Sequence, residues 1–125
     1  MLRRVALALT ALLPALMPAA AAAQANAGRD LRHLVIHSPG PAWEPGLPLT
    51  QQLGVREHEA HYAELARQGQ LLMGGPFADG ASGGLMIFKP GIEEDTLRMH
   101  ALTDPAVESG LLQFEIRPWQ IGFKA

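Results

Sequence analysis

Apolar residues recur along this chain with two periods, and stretches of one alternate with stretches of the other. Leu31 to His37 contains Leu34-Val35-Ile36, apolar on consecutive positions, which reads as a strand covered on both faces. From Thr50 to about Gln68 the period becomes helical: at 100° per residue, Tyr62 and Leu65 fall within about 40° of His58. Thr50 is the candidate N-cap, and Gly69 supplies the left-handed position that closes such a helix. Leu71 to Met73 reads as a second strand, Phe77 to Gly84 as a glycine-rich hairpin loop, and Leu85 to Phe88 as a third strand, again apolar on consecutive positions. Pro90-Gly91 breaks that strand. Glu93, Glu94 and Asp95 open a second helix, where their charges favour the positive end of its dipole, and it ends near Thr103. Leu111 to Phe123 is the last strand region, and Pro118, which has no N–H for a ladder, places it at a sheet edge.

The order β-α-β-β-α-β, with right-handed crossovers, puts both helices on one face of a four-stranded antiparallel sheet. In this ferredoxin-like α+β layout the first and third strands are central, and those are the two that are apolar on both faces. With helices for only one face, the other needs a partner. The simplest partner is a second copy, giving a homodimer. Val35, Met86 or Ile87, and part of the last strand are expected on that uncovered face.

The first 25 residues read differently. Met1-Leu2-Arg3-Arg4 is a short basic start, Val5 to Met17 is an apolar run rich in Ala and Leu, and the segment ends Ala23-Gln24-Ala25. That order is an export signal with an Ala-x-Ala cleavage site. Its apolar run, broken by Pro14 and Pro18, is short for a membrane span, which favours a cleaved signal over the alternative of an uncleaved anchor. The expected mature domain is residues 26–125, periplasmic or secreted, with no membrane association after the signal is removed. Without Arg3 and Arg4, 8 basic side chains face 12 acidic ones, a formal charge of −4. No basic run is present, which argues against a nucleic-acid partner. The chain has no cysteine, so disulfides and lipidation at cysteine are excluded.

The chemistry concentrates on a few side chains. His58 lies on the core-facing stripe of its helix. It is either a satisfied core histidine bonded to a backbone carbonyl or a base in a pocket. Asp104 precedes Pro105 and reads as a helix cap, yet the helix of His58 and the end of the second helix lie side by side. A carboxylate there could hold the imidazole in the tautomer a base needs. His58 and His61 are spaced i, i+3, one residue short of the zinc-protease pattern, and His33 and His37 share a strand face. No spacing among them demands an ion, so neither metal nor cofactor is expected. Trp43, in the proline-rich loop from Ser38 to Pro48, is either a hydrophobic plug or a lid.

Taken together, His58 with Gly69 eleven residues later, the Leu-Leu-x-Gly-Gly-Pro phrase ending at Pro76, Gly83-Gly84-Leu85, Asp104-Pro105 with Gly110, and Arg117-Pro118-Trp119 resemble the YCII-related family. The resemblance spans about Leu31 to Trp119. It implies a small ferredoxin-like protein of the dimeric α/β barrel type, in which His58 and Asp104 form the active-site pair beside a cleft near Gly75 and Pro76. His61 is expected to reach the same cleft. Some members of that family resemble dehydrochlorinases of chlorinated hydroxyquinols. The function this implies is cofactor-independent proton transfer, of lyase, isomerase or dehydrochlorinase type, on a small cyclic or aromatic molecule. The alternative is a dimeric ligand-binding or accessory module without turnover.

Overall fold

The structure is a computed structural model that describes residues 29–79 and 82–125. The expected export signal lies outside the described residues. Strand β1 is Asp30–Pro39, followed by a short 3-10 helix, Leu49–Gln51, and helix α1, Val55–Arg67. Strands β2, Leu71–Pro76, and β3, Gly84–Phe88, form a hairpin; helices α2, Glu94–Leu102, and α3, Pro105–Glu108, precede strand β4, Leu112–Ile121. The sheet order is β2-β3-β1-β4, every neighbouring pair antiparallel. This is the expected ferredoxin-like α+β arrangement, with β1 and β3 central. β4 is an edge strand that accommodates Pro118.

α1 buries Val55, His58, Tyr62 and Leu65, the i, i+3, i+7, i+10 stripe of an amphipathic helix. Its end is a Schellman motif: Gly69 adopts φ 76°, its N–H donates to the Ala66 carbonyl, and the Gln70 N–H donates to the Leu65 carbonyl. Its start differs from expectation. Thr50 lies in the 3-10 turn, and the N-cap is Gly54, at φ 99°. Buried Gln52 explains the delay. Its side-chain carbonyl accepts from the Glu44 N–H at 3.0 Å, and its amide donates to the Glu44 and Leu47 carbonyls at 2.8 and 2.9 Å. The chain thus wraps the proline-rich loop around Gln52 before the helix can begin.

Under the helices, Val35, Tyr62, Leu65, Leu71, Met86, Phe88, Leu97 and Ala101 form the main core. Ala106, Leu111 and Leu112 form a second cluster against which Trp43 packs, so this tryptophan is a plug. The open-face expectation is corrected at Val35, while of the alternatives Met86 and Ile87 it is met by Ile87; Val35 and Met86 lie on the other face. Both are buried on the helix side and pair with each other across β1 and β3. Side chains alternate along a strand, so the opposite face carries Leu34, Ile36, Leu85 and Ile87, all half-buried. The misplacement has a simple cause: in a run apolar at every position, alternation does not say which parity faces the helices.

Candidate active site

The fold brings the end of α2 beside the first turn of α1. His58 Nδ1 and Asp104 Oδ2 are 2.6 Å apart, and the carboxylate is fully buried. Asp104 is also the N-cap of α3. Its Oδ1 accepts from the Ala106 N–H at 2.9 Å, and Pro105 occupies the first helical turn. The cap and partner readings of Asp104 are therefore both right, one carboxylate oxygen serving each. Burial alone would push this carboxyl up. The hydrogen bond and charge of His58, the Ala106 N–H and the nearby His37 outweigh that and hold it below the usual carboxylate range. An ionised Asp104 accepts only, so the bonded nitrogen of His58 is a donor, leaving Nε2 as the nitrogen available for other chemistry.

Two further side chains complete a buried polar cluster. His37, on β1, has Nε2 3.1 Å from the Tyr62 hydroxyl and 3.6 Å from Asp104 Oδ2. The rings of His37, His58 and Tyr62 meet edge to face, with centroids 5.1 to 5.3 Å apart. Burial, and the charge of His58, lower the His37 pKa to about 4, against the opposing pull of Asp104. His37 is therefore neutral at physiological pH. Burial, with Asp104 adding to it, raises the phenol of Tyr62 well above its ordinary range.

This cluster walls one end of a cavity of about 490 Å³ between α1 and β2, within the size range of small-molecule sites. His37, His58 and Tyr62 line it with Leu71, Met86 and Leu112, and Gly75 and Pro76 lie at its β2 side. Among the described residues no Lys or Arg lines it, and Glu59 is its one acidic lining residue. His61 is not among the lining residues, which corrects its expected place. Three residues after His58 it turns toward α2, where its Nε2 donates to the His100 carbonyl at 2.7 Å. The His100 ring stacks on Phe88 and bonds Gln70, so that contact ties α1 to α2 rather than serving a ligand. His37, His58 and Asp104 could each offer one ligand atom to a metal ion, all within 4.8 Å of one another.

No family model and no curated protein matches this chain. A solved enzyme structure shares its fold. It is 5-chloro-2-hydroxyhydroquinone dehydrochlorinase from Burkholderia phenoliruptrix, in complex with 2,5-dihydroxybenzoquinone. The likeness has a TM-score of 0.51 at 20% identity and covers 72% of this chain and 95% of that one. It places the chain in the same ferredoxin-like fold group.

The sequence points to His58 and Asp104 as a pair but not to His37 and Tyr62 as site members. His37 draws notice only as a strand-face neighbour of His33, and Tyr62 only as part of the helix stripe. The available signal is parity. His37 is two residues from Val35, so once Val35 is placed under the helices, a histidine must sit there too.

Proposed function

We propose that this protein is an exported small-molecule enzyme that transfers a proton on a cyclic or aromatic substrate, with His58 as base and Asp104 as the group that orients it. The observation that carries this reading is the 2.6 Å contact from His58 Nδ1 to Asp104, on a histidine that lines the cavity. A core histidine satisfied by backbone would favour a binding module. Here the partner is a buried carboxylate, the arrangement that fixes one tautomer of a catalytic imidazole. His58 Nε2 takes a proton from carbon or oxygen of the substrate, and the electron pair left behind moves into the ring system. Return of the proton at a neighbouring carbon gives an isomer; departure of chloride from a chlorinated ring completes loss of HCl. The apolar wall suits a ring, and a lining without Lys or Arg among the described residues fits a substrate not held by a phosphate or carboxylate. The fold neighbour's action on a chlorinated hydroquinone agrees with this substrate class. The half-buried apolar strip Leu34, Ile36, Leu85 and Ile87 fits a homodimer joined through the open sheet face.

The reading is tested by incubating the protein with a panel of cyclic ketones and hydroxylated aromatics in D₂O, with deuterium incorporation followed by proton NMR. Exchange catalysed by the protein and reduced roughly a hundredfold or more in His58→Gln is expected, in line with the usual contribution of a positioned base. Panel members that bind without exchanging would instead identify a ligand-binding module.

A further inference from the structure

The proton on the Tyr62 hydroxyl has two possible destinations, and the surroundings of His37 decide between them. Tyr62 Oη and His37 Nε2 are 3.1 Å apart, so one donates to the other. His37 Nε2 also faces the ionised Asp104 Oδ2 at 3.6 Å, and a bare nitrogen lone pair there would oppose a negative charge. The other ring nitrogen, Nδ1, is buried and has no hydrogen-bond partner among the described residues. A buried N–H without an acceptor is costlier than an unused imidazole lone pair. The facing carboxylate and the unpartnered Nδ1 both place the His37 proton on Nε2, donating to Tyr62 Oη with Asp104 behind it. The Tyr62 hydroxyl then accepts from His37, and its own hydrogen is left for another acceptor.

We propose that Tyr62 is a second catalytic residue of this site, whose O–H donates to an oxygen substituent of the ring substrate while His58 Nε2 removes the proton, with His37 as the residue that positions the hydroxyl. This deepens the proton-transfer reading and rests on it. Tyr62 and His58 line the same cavity one helical turn apart on α1, so one small ring can touch both. As the substrate proton passes to His58, the electron pair moves onto the substrate oxygen, and a neutral hydroxyl fixed beside it stabilises that charge. Tyr62 keeps its proton throughout. Burial keeps the phenol un-ionised and His37 neutral, as this division of roles requires. The ligand class follows: a ring bearing a carbonyl or hydroxyl oxygen.

Two measurements test this without requiring turnover, so their failure is distinct from failure of the exchange assay. Long-range proton–nitrogen NMR of the free protein reads the His37 tautomer directly. A proton on Nε2 is expected. A proton on Nδ1 would mean that Tyr62 spends its hydrogen on His37, and would overturn the proposal. Titration with phenol and with toluene, which have the same outline but differ in the oxygen, reads the hydroxyl's role. Phenol should bind more tightly than toluene, and Tyr62→Phe should weaken phenol about tenfold, as loss of one good hydrogen bond does, while leaving toluene unchanged. Equal binding of the two by the unmodified protein, or an unchanged phenol affinity in Tyr62→Phe, would also overturn it.

Discussion

Asp104→Ala should destabilise the protein by about 3 kcal/mol, seen in urea unfolding as a lower midpoint at unchanged slope. The size follows from the two jobs of one carboxylate. Loss of the α3 cap costs about 1 kcal/mol, and leaving the buried His58 N–H without its charged acceptor costs about 1.5–3 kcal/mol. Asp104→Asn separates the two. Its side-chain oxygen can still accept from the Ala106 N–H, so the cap survives and the loss should be about half as large. Its amide, however, would turn a donor toward His58 Nδ1 and favour the tautomer with the proton on Nε2. The Asp104→Asn protein should therefore fold well but lose its base. A change below about 0.5 kcal/mol in Asp104→Ala, the range of surface substitutions, would show that the carboxylate holds nothing together.

The second large effect concerns assembly. On the open face of the sheet, Leu34 pairs with Ile87 and Ile36 with Leu85, a cross-strand strip with no helix above it among the described residues. Joining this strip to its copy by a two-fold axis would cover both at once, since such an interface uses the same patch twice. Light scattering of residues 26–125 should give twice the monomer mass. Ile87→Glu should give a monomer whose circular dichroism is unchanged, because the side chain lies away from the core that Val35, Met86 and Phe88 build. A monomer for the unmodified chain at high micromolar concentration would contradict the dimer.

Much of the fold is legible because its signals are local. Gly69 closes α1, Pro118 marks an edge strand, and the acidic run at Glu93 to Asp95 opens α2; each acts within a few residues. The start of α1 is not legible from Thr50, since it depends on Gln52 gripping backbone groups of Glu44 and Leu47, a tertiary arrangement with no periodic trace. At the site, His58 declares itself by its place on the apolar stripe, and Asp104 by preceding Pro105 at the end of the neighbouring helix. His37 is hidden because Val35 and its neighbours are apolar at every position, which leaves the buried parity of β1 undefined until α1 and α2 are placed over it. His61 misleads for a related reason. Its nearness to His58, one helical turn away, suggests a common destination, but its position on the wheel sends it to the α2 backbone instead.

His58 and Asp104 are expected to act as one unit in proton transfer. The most direct measurement is the deuterium-exchange rate of His58→Gln, Asp104→Asn and the double variant, side by side. A base and the group that orients it are not additive, so both single variants should lose roughly 10²–10⁴-fold and the double variant should lose no more than the worse of the two. Exchange at the unmodified rate in Asp104→Asn would leave Asp104 as a helix cap alone, and losses that multiply in the double variant would show two groups acting independently; either result contradicts a coupled pair.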